Sequence, residues 1–222
     1  KYEKVEKIFD YFYPEEILEK AKKDAKIESE SKKLEHDNFI YGEIVFRAIS
    51  YMLEYLMKEH NLLNTDGYFY DLGSWTGRAV IGAVLSASFG KYIGIEYLDS
   101  LYETSEGIHK KFEDEFDNIY KENKDILPVY KTGRPIIELI HGDFLEVDLS
   151  KASFIFINST SFTDDINDKL TNRFNQYCKT GCIITNTSVE LTKLDKEKWE
   201  ILPHFRRYMS WGIATINAYK RK

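Results

Sequence analysis

Cysteine is scarce in this 222-residue chain: there are only two, Cys178 and Cys182, in "YCKTGCII". Their spacing is neither a redox pair nor half of a zinc site, so both read as reduced thiols of an intracellular protein, and no metal is expected. A basic surplus is also missing. Lys and Arg number 31 against 37 Asp and Glu, a formal charge of −6. Sequence-specific nucleic-acid binders lean on a basic face, so none is expected here; a mildly acidic domain suits a small molecule or a basic protein partner. No hydrophobic run is long enough to span a bilayer, so no membrane partner is expected. Internal repeats and low-complexity linkers are absent. The chain opens at Lys1 without a methionine, which implies a trimmed start.

With 43% apolar and 31% charged residues, the chain has the balance of an ordinary globular protein with one buried core. Its first forty residues read as a helical annex (1–40) ahead of a main domain (41–222). In "PEEILEKAKKDAKIESESKKLEHD" a proline, then acids, then lysines follow in the order of a solvated helix. Next, "YGEIVFRAISYMLEYLMKEH" carries Val45, Ile49, Met52 and Leu56 at helical spacing, an amphipathic helix with one buried stripe. From "GYFYDLG" onward, strands alternate with helices. "KYIGIEY", "IIELIHGDF", "ASFIFINST" and "GCIITNTS" supply four more strands, and "HFRRYMSW" and "TINAYKRK" two closing ones. Alternation of this kind predicts an α/β fold: a mostly parallel, doubly wound sheet of seven strands with helices on both faces.

In such sheets ligands sit beyond the carboxyl ends of the strands. Four successive ends here carry plausible adenosine contacts. Asp71 closes the first strand in "DLGSWTGRAV", where Gly73 permits a sharp turn and Gly77 opens a helix. Glu96 closes the second, where an acid takes ribose hydroxyls; Asp143 and Phe144 close the third, an acceptor and a flat ring for adenine. Asn158 closes the fourth. A lone acid at a strand end is commonly a helix cap; the succession of four is the signal. The full G-x-G-x-x-G that a pyrophosphate requires is absent, which favours S-adenosyl-L-methionine over a dinucleotide. Trp75 stands at the usual middle glycine. Its indole either points away, with the backbone path kept at negative φ, or fills the pocket. Arg78, near the helix start, either pairs with a carboxylate of the cofactor or is a solvated helix residue.

"YGE" ahead of "DLGSxxG", then "GIEY", "GDF", "FIFINSTSF" and "TNRF…KTGCII", with an echo at "SW", resembles the disruptor-of-telomeric-silencing family of histone-lysine methyltransferases. The resemblance runs from about Phe39 to Ser188 and implies a Rossmann-like class I methyltransferase domain rather than a SET fold. It implies that Tyr41, Gly42 and Glu43 form the loop over the methionine end of the cofactor, and that Asp71 and Gly73 line its amino-acid moiety. Glu96 would take the ribose, Asp143 and Phe144 the adenine. Asn158 and Phe162 would stand beside the transferred methyl at the mouth of a lysine channel; core packing is the other reading of Phe162. The chain departs from the family at Trp75, Arg78 and Ser159, and after "SW" no tyrosine aligns in the shorter closing segment, Tyr219 being only a distant candidate.

The expected activity is therefore S-adenosylmethionine-dependent transfer to a protein lysine, with a histone or nucleosome as partner and the nucleus as location, or the cytoplasm for another substrate. Phe162, Trp211 and Tyr41 are the candidate channel walls, with Asn158 orienting the amine; no catalytic base is assigned, and His141 reads as structural. Two alternatives stay open: a methyltransferase for another amine or small molecule, and an inactive methyltransferase-fold binding module.

Overall fold

A computed structural model describes residues 1–34, 42–60, 66–187 and 189–222. Two helices lead, α1 (Tyr2–Phe12) and α2 (Glu15–Ser31), followed by α3 (Phe46–Glu59). The alternating part runs β1 (Tyr68–Leu72), α4 (Arg78–Ser86), β2 (Lys91–Glu96), α5 (Asp99–Asn123), β3 (Ile137–His141), β4 (Ala152–Ile157), α6 (Asp164–Tyr177) and β5 (Ile183–Thr187). A hairpin of β6 (Trp199–Met209) and β7 (Gly212–Arg221) closes the chain.

The seven strands form one sheet in the order β3-β2-β1-β4-β5-β7-β6. The first five pair in parallel, and β7 returns antiparallel between β5 and β6. Strand order reverses between β1 and β4, which opens a crevice at the carboxyl ends of those strands. Alternation along each strand then divides the core. Phe69, Tyr92, Phe154 and Ile216 face one buried cluster with α1, α3, α4 and the middle of α5. Tyr70, Ile93, Ile155 and Tyr219 face the other, covered by Leu170 and Phe174 of α6. The expected sheet and its two covered faces are therefore present.

The solvated helix expected from Pro14 onward is α2, with that proline as its N-cap, and a separate helix, α1, precedes it. Val5, Phe9 and Phe12 of α1 are buried in the main core. α2 is solvated except for a stripe of small residues, Ala21, Ala25 and Ser29, at i, i+4 spacing. The expected boundary at residues 40 and 41 lies outside the described residues. Among the described residues no helix is long and apolar enough to cross a membrane.

Packing of α3 on α4 is tight enough that a Cβ added to Gly82 would lie 2.5 Å from Ile49 Cγ2. Gly82→Ala is expected to destabilise the protein by about 1–3 kcal/mol in denaturant unfolding, despite alanine's better helix propensity, because Ile49 sits in a filled core and has nowhere to shift.

Candidate active site

The turn after β1 is built from left-handed backbone. Gly73, Trp75 and Gly77 have φ of +85°, +52° and +82°. The amides of Gly73 and Ser74 both donate to the Ile95 carbonyl at 3.0 and 2.8 Å, and Gly77 closes the turn onto Ser74 at 2.7 Å. Trp75 thus holds a glycine-like conformation rather than the negative φ expected of it. That backbone costs about 1–2 kcal/mol in a non-glycine residue. Burial offsets the cost, since an indole-sized area removed from water is worth roughly 3–5 kcal/mol. The indole, 8% exposed, packs with Ala21 and Ala25 of α2 and with Leu98 and Leu101 at the start of α5. It takes the first of the two directions open from sequence, toward the annex.

Two other segments converge on this turn. Glu43 reaches it from the loop before α3: its Oε1 accepts from the Thr76 amide at 3.0 Å and from the Thr76 hydroxyl. The tip of the β6–β7 hairpin braces the same loop. Ser210 Oγ accepts from the Glu43 amide at 3.1 Å, and the Ser210 amide donates to the Glu43 carbonyl at 3.3 Å. Trp211 lies against Gly42 so closely that a Cβ there would be 2.8 Å from its Cε3. From β4, Asn158 Nδ2 donates to the Gly42 carbonyl, while its Oδ1 accepts from the Thr187 hydroxyl at 2.7 Å and from that of Thr160 at 3.1 Å. A carbonyl on one side and hydroxyls on the other fix which way the amide points.

Seven of the residues singled out from sequence, Gly42, Glu43, Asp71, Gly73, Trp75, Arg78 and Asn158, line one narrow cleft of about 10 Å³. Phe144 and Phe162 stack on each other over Gly73, ring centroids 5.5 Å apart, and each lies 3.8 Å from where a Gly73 Cβ would stand. The remaining residues lie less simply. Asp143 is exposed on the rim, its Oδ1 accepting from the Leu145 amide at 2.8 Å. Glu96 points into its own turn, with Oε2 on the Trp75 amide at 2.8 Å and Oε1 on those of Tyr97 and Leu98 at 2.9 and 2.8 Å. Gly77 faces Ser105 and Tyr13. The Arg78 guanidinium lies over Phe9 and Tyr13, at 4.9 and 5.0 Å from their centroids, and its Nε donates to the Ile44 carbonyl at 3.0 Å. It is half-buried between the annex and the edge of the cleft. Tyr41 lies outside the described residues. Tyr219 pairs with Ile184, back from the carboxyl edge of β5, and its hydroxyl accepts from the Leu191 amide at 2.9 Å. His141 stacks on Tyr102 and pairs with Asp99 at 2.8 Å, a structural arrangement.

Sequence reading passed over Thr76, the partner of Glu43, and Thr187 and Thr160, the partners of Asn158. No local pattern marks them. Thr76 and Thr187 act through residues distant in the chain, and Thr160 through Asn158 two positions before it.

The electrostatics follow from burial. Glu43, Asp71 and Glu96 are 5%, 3% and 5% exposed. Burial, then the Glu96 and Glu43 charges, push the Asp71 carboxyl well above its ordinary range. Burial likewise raises Glu96 to about 7, against the pull of its three amides. Asp71 has no hydrogen-bond partner among the described residues, so nothing among them offsets the cost of ionising it, and the carboxyl holds its proton.

The family model described as "Histone methylation protein DOT1" matches residues 24–201. The chain belongs to the DOT1 family. It is 26% identical to a histone-lysine N-methyltransferase, H3 lysine-79 specific, of Gibberella zeae, over 72% of this chain and 30% of that protein. Against the protein of the same name from Chaetomium globosum it is also 26% identical, over 96% of this chain and 40% of that one. This DOT1-family chain thus spans well under half the length of these relatives. Solved structures agree on the fold. A protein of Listeria monocytogenes described as a class I S-adenosylmethionine-dependent methyltransferase superposes with a TM-score of 0.54 at 11% identity, over 79% of this chain and 59% of that one. An Escherichia coli protein described as a methyltransferase does so at 0.52 and 11%, over 80% and 86%. The DOT1-family domain has the Rossmann-like class I methyltransferase fold.

Gly42→Ala is expected to cost about 1–3 kcal/mol by displacing Trp211. Most of that penalty should vanish when the same change is made in a Trp211→Ala background, a coupling read from denaturant unfolding of the four members of the cycle. Glu96 yields a pH prediction. Its folded pKa of about 7 exceeds its ordinary 4.5, so the folded chain holds the extra proton and stability is lost as pH rises between those values. Glu96→Gln removes this titration. Its unfolding free energy should gain on the parent's across that window and run parallel to it above and below.

Proposed function

We propose that this chain is an S-adenosylmethionine-dependent protein-lysine N-methyltransferase acting on a histone. The observation that carries the reading is Asp71: a buried carboxyl without a hydrogen-bond partner among the described residues, at the carboxyl edge of β1, bordering a cleft with a glycine turn beneath it. Such a group calls for a cation. The donor set around it fits the cofactor. Asp71 would receive the cationic amino group, with Glu43 adding negative charge beside it. Phe144 would offer a flat apolar face to the adenine, and Gly73 permits close approach from below. Gly42 and Asn158 would close the site from the side of the β6–β7 hairpin. When bound, S-adenosylmethionine supplies a methyl group on a sulfonium, a leaving group that departs neutral.

The chain's own residues then have a limited task. Little acid–base machinery is required, and alignment of amine and methyl supplies much of the rate. The attacking lysine must be uncharged, and an apolar passage favours that form by lowering its pKa. Phe162 and Trp211 are the side chains suited to form the passage; Asn158, its amide held by Thr187 and Gly42, is suited to orient the amine. Histones are strongly basic, and the acidic balance of this chain, −6, favours their approach. A nuclear location follows from a histone substrate. Nucleosome-level recognition would draw on parts of the relatives' length that this chain does not span.

Calorimetry with S-adenosylmethionine and S-adenosylhomocysteine, followed by incubation with histone octamers and nucleosomes read by mass spectrometry, tests the reading. Binding and a methylated lysine are expected. Asp71→Asn should weaken cofactor binding by about 10- to 100-fold, the loss of a charge-assisted contact. Because Asp71 and Glu96 hold protons more tightly than ordinary carboxyls, the ionised site forms only as pH rises. Affinity should therefore increase as pH rises, with proton release visible in buffers of different ionisation enthalpy. A chain that binds neither compound is a binding module of another kind.

A further inference from the structure

Helix α5 begins at Asp99 without a side-chain cap of its own. The first amides of a helix need acceptors. Glu28, from α2, supplies them across a gap of 71 residues: Oε1 accepts from the Asp99 amide and Oε2 from the Ser100 amide, both at 2.8 Å. Lys32, one turn further along α2, bridges Glu28 at 2.6 Å and Asp99 at 2.9 Å. The carboxylate meets the positive end of the α5 dipole, and the lysine neutralises what remains. Burial by itself would raise the Glu28 carboxyl, but Lys32 and the two capping amides hold it down to about 2.

Beside this cap, the small stripe of α2 receives the Trp75 indole. Ala21 and Ala25 are 1% and 3% exposed, and the cluster also takes in Leu98 and Leu101. Leu98 and Tyr97 give their amides to Glu96, whose other oxygen holds the Trp75 amide. The contacts therefore form a closed circuit. α2 caps α5, the residues before α5 hold Glu96, Glu96 holds Trp75, and the Trp75 side chain returns to α2. On the other side of the turn, Arg78 is sandwiched with Phe9 and Tyr13 of the annex.

We propose that Glu28 and Trp75 are positioning residues for the cofactor turn: docking of α2 holds residues 73–78 in their left-handed path, so that cofactor affinity is set in part by a helix outside the sheet. This rests on the cofactor reading above. A glycine at position 75 would adopt φ of +52° without help. Tryptophan adopts it because the annex takes the indole, which makes the shape of the turn conditional on the annex. Undocking of α2 would free Trp75 to return to negative φ and withdraw its amide from Glu96.

Hydrogen exchange by mass spectrometry on the cofactor-free protein, together with calorimetry using S-adenosylhomocysteine, tests this. Glu28→Gln keeps the side chain's shape and removes its charge. It should raise exchange at residues 97–100 and also at 73–78, and weaken S-adenosylhomocysteine by at least about fivefold, the lower end of coupling between linked sites. Glu30→Gln, on the solvated face of the same helix, should change neither. Lys32→Gln, a milder loss should Glu28→Gln prove unstable, should shift both readouts in the same direction by less. Exchange at 73–78 unmoved by Glu28→Gln or Lys32→Gln, or affinity unmoved while 97–100 loosens, would overturn the proposal. If the parent protein itself binds no S-adenosylhomocysteine, the cofactor reading falls and takes the affinity claim with it, whereas the exchange at 73–78 still tests the mechanical link by itself.

Discussion

Carboxylates buried at the edge of a sheet must be compensated, and much of this molecule is arranged around three of them. Removing an ionised acid from water is expensive unless amides, hydroxyls or cations replace the lost solvent. Glu96 is compensated by three backbone amides and Glu43 by Thr76. Asp71 has neither among the described residues, and its carboxyl is pushed well above the ordinary range. The two satisfied acids shape the turn after β1, and the unsatisfied one borders the cleft. Structure and reactivity thus divide among chemically similar groups by how many donors reach each one.

The turn that carries this cleft is held from three directions. The loop at residues 42–45 reaches it through Glu43, the β6–β7 hairpin supports that loop through Ser210 and Trp211, and the annex receives Trp75 and Arg78. None of these supports is adjacent in sequence to the turn itself. A turn built this way can tolerate a bulky residue where glycine is usual, because the indole packs against the annex. Ser159, in place of a second asparagine, donates to the Thr187 carbonyl and accepts from Asn186, a buried polar contact that keeps the end of β5 beside Asn158.

Much of the fold was legible. Of the stripe Val45, Ile49, Met52 and Leu56, the last three are fully buried on α3 while Val45 is its half-buried N-cap, and each strand expected from "GYFYDLG" onward is a strand of the sheet. Periodicity works for these because one buried face per element suffices to write it. The ends of β1 and β4, with Asp71, Gly73 and Asn158, were legible for a related reason: the sheet's topology sends successive strand ends to one crevice. The annex was read less well. Its charges suggested a solvated helix, and two alanines and a serine carry no hydrophobic signal, although their small size is what admits an indole.

Sequence by itself therefore determined the layered α/β fold, the edge of the sheet at which chemistry gathers, and the acidic and aromatic residue types found there, since these depend on local patterns and on chain order. Only the tertiary structure decided where Trp75 and Arg78 point, that Glu96 spends its oxygens on its own turn while Asp71 has no hydrogen-bond partner among the described residues, and that Tyr219 holds the Leu191 amide. Those outcomes depend on which distant donors and small residues come within a few ångströms of each side chain, and no spacing along the chain encodes that.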